Sequence, residues 1–160
     1  MNYIIREAKR TDMPQVLELI NELAKHENAS EQVEISVSDL EQEGFENGNF
    51  KCFVAEVENK IVGMALAYFR FSTWKGRTVH LEDLIVTESH RGTGLGKALY
   101  QRVVKYGYDH DVKRVEWVVS EGNTNAIEFY ENSGANIKKN WYTVHMSENV
   151  IKKKIEEYNE

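Results

Sequence analysis

Apolar residues recur along the chain with two different spacings, one typical of helices and one of strands. The changes of spacing predict where each helix and strand lies. After Asp12, which together with Gln15 is typical of a helix start, apolar side chains return every three or four residues. The side chains of this stripe are Val16, Leu17, Ile20, Leu23 and Ala24. Residues 3–6 are predicted to form a short strand before this helix, and Ser38 with Glu41 predicts a second, shorter helix after it.

Segments rich in Val, Ile, Phe and Tyr in the middle of the chain predict β-strands. Residues 50–58 and 61–71 are two such segments, and Asn59-Lys60 between them indicates a hairpin. A third strand is expected at residues 78–87. The middle of the chain is therefore predicted to be mostly antiparallel sheet.

The second half of the chain alternates helical and strand spacing. A helix that begins near Leu95 has one apolar stripe, formed by Leu95, Leu99, Val103 and Tyr106. A strand is expected at residues 113–120, followed by a short helix that ends near Gly134, a natural left-handed cap. A last strand at residues 137–146 and a charged amphipathic tail at residues 148–160 complete the prediction.

The predicted order of elements is β-α-α-β-β-β-α-β-α-β. This order indicates an α/β fold with one mixed, mostly antiparallel sheet flanked by helices. The chain has 160 residues, one proline and no glycine- or serine-rich linker. We therefore expect a single domain over residues 1–160.

Charge and composition narrow the classes of function. Twenty-six acids against twenty bases give a net charge of -6, which argues against a nucleic-acid partner. The N-terminal region is charged and has no long apolar segment, so we expect no signal peptide, no membrane span and a cytoplasmic protein. The single Cys52 and the spacing of the five histidines indicate neither a disulfide nor a metal site.

Acidic residues are concentrated between His26 and Phe50, where there is no Lys or Arg. They are Glu27, Glu31, Glu34, Asp39, Glu41, Glu43 and Glu46. Any one of them is expected on a solvated surface, because charged side chains are rarely buried. Together they would attract a cation.

Residues 91–97, Arg-Gly-Thr-Gly-Leu-Gly-Lys, lie between a predicted strand and a predicted helix. Three glycines at alternate positions leave backbone N–H groups accessible at a helix start, which favours a bound phosphate. A Walker A loop would need Ser or Thr where Ala98 stands, and a dinucleotide loop has a G-x-x-G spacing. Glu116 lies at the sequence distance of the acid in a dinucleotide site, but in the middle of a strand.

This loop, with the strand before it and the helix after it, resembles the acyl-CoA pyrophosphate loop of the GNAT superfamily of N-acetyltransferases. A second hallmark of that superfamily follows in order as Asn123, the pair Phe129-Tyr130, and Gly134-Ala135. The predicted order of elements is also that of the superfamily. The resemblance covers nearly the whole chain and implies acetyl-CoA as the cosubstrate.

Several blocks resemble the diamine branch of that superfamily, the spermidine/spermine and thialysine acetyltransferases. These blocks are residues 22–27, residues 31–33, Trp74 and residues 81–83. The branch implies a homodimer. Lys138 and Lys139, before Trp141, replace an acidic stretch of that branch, and two added positive charges disfavour a long polycation such as spermine.

Acetyl transfer to an amine needs a base for the ammonium proton, donors to the carbonyl oxygen and an acid for the departing thiolate. The resemblance implies Glu82 as the base and Tyr130 as the acid. Strand alternation predicts that Asp83 points away from Glu82, to the opposite face, as an exposed carboxylate. The donors to the carbonyl oxygen would be backbone N–H groups of Leu84, Ile85 and Val86.

The resemblance also implies two sets of binding residues and no metal. The expected acetyl-CoA set is Leu84, Ile85, Val86, Arg91, Gly92, Thr93, Gly94, Leu95, Gly96, Lys97, Asn123, Thr124, Asn125, Ala126 and Tyr130. The expected amine-binding set is His26, Glu27, Glu82, Glu116, Trp117 and Val118.

The sequence thus predicts an acetyl-CoA-dependent N-acetyltransferase that acts on the primary amine of a small diamine, polyamine or thialysine-like substrate. Cys52 lies in a strand and offers no convincing nucleophile, so we expect direct transfer without an acetyl-enzyme. Two alternatives stay open, namely a protein or peptide N-acetyltransferase and a non-catalytic acyl-CoA-binding module. No membrane or nucleic-acid partner is expected.

Overall fold

The computed structural model describes residues 2–158, and a five-stranded sheet forms its centre. The strands, in spatial order, are β1 (Ile4–Glu7), β2 (Lys51–Val57), β3 (Lys60–Ser72), β4 (Gly76–Val86) and β5 (Val115–Glu116). Neighbouring strands run antiparallel except β4 and β5, which run parallel. The predicted mixed, mostly antiparallel sheet is therefore confirmed.

The helices are α1 (Met13–His26), α2 (Val37–Glu41), α3 (Leu95–Asp109), α4 (Thr124–Asn132) and α5 (Glu148–Tyr158). The predicted α/β class, a mixed sheet flanked by helices, is confirmed. The charged tail is helical as far as Tyr158, and its last two residues lie outside the described part of the chain. Within residues 2–158, no helix is both long enough and apolar enough to cross a membrane.

The two faces of the sheet are covered by different helices, because strand side chains alternate between faces. On one face α1 and α2 bury Met13, Val16, Leu19 and Leu40 against β2, β3 and β4. On the other face α3 buries Leu95, Leu99, Val103 and Tyr106. Cys52 is buried on the α1 face, and this burial raises the pKa of its thiol to about 12, so the thiol stays protonated.

The chain forms two compact units, with the division between Val118 and Val119. The first unit contains the sheet with α1, α2 and α3, and the second contains α4 and α5. Within the second unit, Gly134 follows α4 with φ of +91°, the left-handed helix end that the sequence predicts. The single domain expected over residues 1–160 stays a prediction.

Three predictions about the helices and strands are wrong. Residues 137–146 form no strand, because a strand needs a paired neighbour and no such pairing occurs in the described chain. The strand predicted at residues 113–120 is reduced to the short β5. The second helix begins after Ser36, not Ser38, since the N–H of Asp39 donates to the Ser36 hydroxyl at 3.2 Å and closes a capping box there.

A charged network fastens the start of α1 to the edge of the sheet. Arg6 on β1 donates to both carboxylate oxygens of Asp12, at 2.6 and 3.1 Å, and to Glu56 on β2 at 2.7 Å. The N–H of Lys9 also donates to Asp12, at 2.7 Å. The Arg6 guanidinium is the main cause that holds the pKa of Asp12 below its ordinary value, although burial acts in the opposite direction.

We expect Asp12→Asn to lower the free energy of unfolding by about 2 kcal/mol near neutral pH, because Arg6 loses a buried charged partner. Since the folded-state pKa of Asp12 is lowered, its contribution is present above about pH 4 and is lost as the pH falls through the folded-state value. Urea unfolding of the variant and the parent at neutral and acidic pH measures both effects.

The matched control is Glu41→Gln, which removes an exposed ion pair with Arg10 at 3.4 Å. Such pairs contribute less than about 1 kcal/mol. Equal losses of stability in Asp12→Asn and Glu41→Gln would show that the Asp12 network contributes no more stability than an exposed ion pair.

Candidate active site

A β-bulge in β4 decides where its acidic pair points. Leu66 on β3 is opposite Asp83, whereas the next residue, Ala67, is opposite Leu81, so Glu82 is an extra residue in the ladder. Leu81 belongs to the α3 core, while Asp83 shares the α1 face with Leu66. The predicted opposite orientation of Glu82 and Asp83 is wrong, because the bulge interrupts the alternation on which it depended.

Both acids line one cavity of about 480 Å³ on the α1 and α2 side of the sheet. Much of its wall is apolar, and includes Ile20, Ile35, Leu40, Phe50 and Leu66. Its carboxylates are Asp39, Glu43, Glu82 and Asp83. A concave site that combines apolar wall with several carboxylates favours a ligand with a hydrocarbon chain and positive charge.

Glu82 is held at this cavity by two aromatic neighbours. The hydroxyl of Tyr68 donates to Glu82 Oε2 at 2.9 Å, and His80 Nε2 lies 3.5 Å from the same oxygen. Burial, and then the hydrogen bond to Glu82, raise the pKa of Tyr68 to about 12, so its hydroxyl remains a donor. The side chain of Glu82 is 50% exposed and is therefore accessible to a ligand.

The imidazole of His80 is neutral at pH 7. Burial is the main cause that lowers its pKa below 6.5, while the charge of Glu82 acts in the opposite direction. Arg70 Nη1 lies 3.2 Å from His80 Nδ1, and since a guanidinium can only donate, Nδ1 is the acceptor. The ring proton is consequently assigned to Nε2, which is the nitrogen nearest Glu82.

Asp83 is half-buried, in contrast to its predicted exposure. Burial is the main cause that raises the pKa of Asp83 to about 6, and the charge of Glu82 adds to it. Within residues 2–158 its carboxylate has no hydrogen bond or ion pair. A carboxylate in such surroundings destabilises the folded state at neutral pH, which makes Asp83 a candidate for function.

One edge of β4 is open near its end, because the ladder with β5 covers only two residue pairs in the described chain. On the other side, the N–H of Thr87 donates to β3 at 2.9 Å. Hydrogen bonding alternates along an antiparallel ladder, so Ile85 also turns its N–H toward β3. The N–H groups of Leu84 and Val86 then point to the open edge, and Ile85 does not share the role predicted for the three residues together.

The glycine loop leads directly into α3. Gly92 and Gly94 have φ of +74° and +88°, a backbone conformation that favours glycine. The first helical hydrogen bond runs from the N–H of Ala98 to the carbonyl of Gly94, at 3.0 Å, so the N–H groups of residues 95–97 precede it. Donors at the N-terminus of a 15-residue helix suit an anion such as a phosphate.

Arg91 is tied to β4 and to α1. Its Nε donates to the carbonyl of Val86 at 3.0 Å, and its Nη2 lies 3.6 Å from Glu22 Oε1. The same Glu22 oxygen accepts the N–H of Glu88 at 2.9 Å. Glu22 therefore fixes the start of the glycine loop to α1, a contact between distant parts of the chain that no local pattern predicts.

The remaining residues predicted for acetyl-CoA lie in the second unit. Asn123 Oδ1 accepts the N–H of Ala126 at 3.2 Å and caps α4. The first turn of this helix is formed by Thr124, Asn125 and Ala126. Tyr130 is buried, and its ring centre lies 5.3 Å from that of Phe129. The roles of these residues stay predictions.

The residues predicted to bind the amine are spread over the first unit, and Glu82 is the one that lines the cavity. His26 and Glu27 are exposed at the C-terminal end of α1. Val118, just after β5, is 69% exposed. Their binding roles stay predictions.

Glu116 and Trp117, also predicted for the amine, contact protein groups. Glu116 lies 2.7 Å from Arg70 and 2.7 Å from Arg114, so its charge is compensated. The ring of Trp117 packs on the α3 core, 5.7 Å from the ring of Tyr100. These contacts stabilise the sheet edge at β5.

The cavity is also lined by polar residues outside the predicted amine-binding set, among them Asp39, Glu43, Tyr68 and Asp83. Asp39 and Glu43 belong to the acidic segment, and their i, i+4 spacing at a helix start is a signal that could have paired them. Tyr68 and Asp83 share the cavity because of strand pairing and the bulge, which no local pattern reveals. In the described part of the chain, no group of three or more His, Cys, Asp or Glu is placed to hold a metal ion.

We expect Asp83→Asn to raise the free energy of unfolding by roughly 1–3 kcal/mol at about pH 7.5, because it removes a half-buried charge. The folded-state pKa of Asp83 is raised to about 6, so the cost of its charge appears only as the pH rises from about 4 through that value. The gain should therefore vanish near pH 4. Unfolding curves across this pH range measure it.

The contrasting control is Asp39→Asn. Hydrogen bonds from Ser36 lower the pKa of Asp39, so its charge is favourable and its removal should reduce stability. An Asp83→Asn variant that also loses stability near neutral pH would contradict the account of Asp83.

Comparison with known proteins gives a family match and close relatives. Residues 13–135 match the acetyltransferase (GNAT) family. The thialysine N-epsilon-acetyltransferase of Bos taurus is 38% identical over 141 residues, covering 82% of this chain and 83% of the relative. The thialysine N-epsilon-acetyltransferase of Caenorhabditis elegans is 31% identical over 142 residues, covering 87% of this chain and 88% of the relative.

A solved structure supports the fold. An integron cassette protein of V. cholerae superimposes with a TM-score of 0.78 at 22% identity, covering 97% of this chain and 98% of that protein. The family match spans most of the chain, and the relatives exceed 30% identity over more than four fifths of it. With the mixed sheet and the glycine loop ahead of α3, these matches establish that the chain belongs to the GNAT family and is an N-acetyltransferase.

Proposed function

We propose that this N-acetyltransferase transfers the acetyl group of acetyl-CoA directly to a primary amine of a small diamine or thialysine-like molecule. The observation that carries the proposal is the cavity beside the bulge, where two adjacent carboxylates of β4 face an apolar wall. The same strand runs on toward the glycine loop, so one strand serves both the acceptor cavity and the phosphate loop. The names of the two relatives support a small amine as the acceptor.

The glycine loop suits the pyrophosphate of acetyl-CoA. The N–H groups of residues 95–97 can donate to phosphate oxygens, and the α3 dipole favours their negative charge. Gly92 and Gly94 bring no side chain into the space that the phosphate would approach. Arg91 precedes these glycines and Thr93 lies between them, and the guanidinium of Arg91 adds a positive charge.

The transfer needs three groups, and the chain has a candidate for each. A β4 carboxylate takes the proton of the acceptor ammonium, whose pKa of about 10 keeps it charged at neutral pH. The resemblance assigns this role to Glu82. The open-edge N–H groups of Leu84 and Val86 donate to the thioester oxygen as negative charge develops on it. The amine nitrogen forms the new bond to the acetyl carbon as the C–S bond breaks, and Tyr130 supplies a proton to the sulfur. The nitrogen then releases its second proton, which restores the Tyr130 hydroxyl directly or through solvent.

The site favours a short acceptor over a long polyamine. A cavity of about 480 Å³ is of the size that binds small molecules. Lys138 and Lys139 replace acids that the resemblance would lead one to expect, and they disfavour a ligand with four positive charges. The homodimer and the cytoplasmic location expected from the sequence stay predictions.

A panel of acceptors tests the proposal, with the release of CoA thiol as the measurement. The panel contains thialysine, lysine, short diamines, spermidine, spermine, an aminoglycoside and a lysine-containing peptide. We expect the highest kcat/KM for thialysine and short diamines, at least about 10-fold above spermine and the peptide. A preference for the peptide would favour a protein acetyltransferase. Binding of CoA without thiol release from any acceptor would favour a non-catalytic module.

The phosphate role of the loop is tested with Gly94→Ala. Its left-handed φ strains any other residue by about 1 kcal/mol, so the loop shifts and acetyl-CoA affinity should fall about 10-fold. Gly48→Ala is the matched control, since Gly48 also has a positive φ of +65° and open space around it but lies outside the loop. Isothermal titration with acetyl-CoA compares the two variants. Equal acetyl-CoA affinities in the two variants would show that the glycine loop does not bind acetyl-CoA.

A further inference from the structure

We infer that Arg70 binds a carboxylate of the acceptor, so that the preferred acceptor is an amino acid with an amine at the end of its side chain. This inference rests on the proposed function and names the class of acceptor within it. Glu82 keeps its proposed role at the reacting amine. The inference starts from a row of polar side chains that leads away from Glu82 across the sheet.

This polar row consists of Glu82, His80, Arg70, Glu116 and Arg114. His80 Nε2 lies 3.5 Å from Glu82 Oε2, and the other ring nitrogen, Nδ1, lies 3.2 Å from Arg70 Nη1. The same Nη1 lies 2.7 Å from Glu116 Oε1, and Arg114 Nε lies 2.7 Å from Glu116 Oε2. Each member contacts the next, and these contacts fix the guanidinium of Arg70 relative to Glu82.

Arg70 and His80 point to the same face of the sheet as the cavity. Along β4, His80 alternates with Val79 and Leu81, which are buried in the α3 core, and along β3 Arg70 follows Phe69, which packs on that core. The side chain of Arg70 is 52% exposed, so the helices on the α1 face leave it uncovered. A ligand can therefore approach Arg70 and Glu82 from the same side.

The far end of the polar row carries a net positive charge. One carboxylate, that of Glu116, lies between the two guanidiniums of Arg70 and Arg114, so these three groups together have a charge of +1. Among the described residues, no hydrogen bond uses the Nε and Nη2 donors of Arg70. Two donors on one edge of a guanidinium match the two oxygens of a carboxylate. This end of the row therefore suits an anionic group of the acceptor.

The cavity itself does not suit an acceptor carboxylate. Its described lining includes the carboxylates of Asp39, Glu43, Glu82 and Asp83 and no Lys or Arg. Like charges repel, and they do so more strongly where solvent is partly excluded. Glu82 lines the cavity and is also half-exposed beside His80, so it borders both the cavity and the polar row. An acceptor with its amine at Glu82 can therefore place a carboxylate outside the cavity, at Arg70.

The length of the row matches an acceptor of the size of lysine. The path from Arg70 Nη1 through the imidazole of His80 to Glu82 Oε2 spans at most about 9 Å, because the ring itself is only about 2 Å across. In extended lysine or thialysine, about 8 Å separate the side-chain nitrogen from the carboxyl carbon. Such an acceptor reaches both ends of the row at once.

The middle of the row is compatible with a hydrocarbon or thioether chain. The rings of Tyr68 and His80 lie side by side, with centres 5.2 Å apart, and provide a flat surface for the chain. Burial lowers the pKa of His80, so its imidazole is neutral at pH 7 and adds no positive charge beside the acceptor ammonium. His80 thus connects the two ends without repelling either end of the acceptor.

The test compares thialysine with its primary amide, in which a neutral carboxamide replaces the carboxylate. CoA-thiol release gives kcat/KM for each acceptor. In the parent, kcat/KM should be about 10-fold higher for thialysine, because the amide loses the charged hydrogen bonds to Arg70. Arg70→Gln should reduce this ratio to about 1, mainly through a loss with thialysine. Arg70→Lys should retain part of the ratio, since it keeps the charge without the two-donor edge.

The matched control is Arg77→Gln. Arg77 lies on the neighbouring strand, but its guanidinium carbon is 3.6 Å from the centre of the Phe69 ring, on the α3 face. The ratio of the two acceptors in Arg77→Gln should therefore equal that of the parent. Thermal melting of the parent and all variants shows whether each is folded.

The outcomes separate this inference from the proposed function. A ratio of about 1 or less in the parent, or a ratio that persists in Arg70→Gln, would overturn the role of Arg70. An equal loss with both acceptors in Arg70→Gln would also overturn it, because Arg70 would then act on the protein and not on the carboxylate. In each of these cases thiol is still released, and the acetyltransferase reaction stands. If the parent released thiol with no acceptor of the panel, the proposed function and this inference would both be wrong.

Discussion

A sheet ladder accommodates an extra residue only by turning the side chains beside it, and in β4 that residue is Glu82. Without the bulge, Asp83 would share the face of Leu81 and lie in the α3 core, where its charge would be surrounded by apolar side chains. With the bulge, two consecutive carboxylates meet at one cavity. The acidic character of this cavity therefore depends on one irregular backbone position.

The parts of the fold that the sequence predicts well are those governed by local periodicity. The stripe from Leu95 to Tyr106 specifies α3, because an apolar face at helical spacing must pack on something. The left-handed helix end at Gly134 is predicted in the same way, since glycine accepts a positive φ without strain. The glycine loop at the start of α3 was predictable for these reasons.

The parts that the sequence predicts poorly depend on partners far away in the chain. Alternation at residues 137–146 is typical of a strand, yet strand formation also needs a neighbour to pair with. The surroundings of Asp83 depend on the register between β3 and β4, and a bulge of one residue leaves no signature in composition. The sequence therefore predicts an exposed Asp83, whereas the structure half-buries this acid.

Under the proposed function, the link between α1 and the glycine loop connects the sites of the two substrates. Ile20 of α1 lines the cavity, and Glu22, half a turn further on, holds both Arg91 and the N–H of Glu88. Two residues so close together in one helix move as a rigid body. A displacement of Ile20 therefore also displaces Glu22. Any coupling carried by α1 is reciprocal: the affinity for the donor changes with the acceptor by the same factor as the reverse.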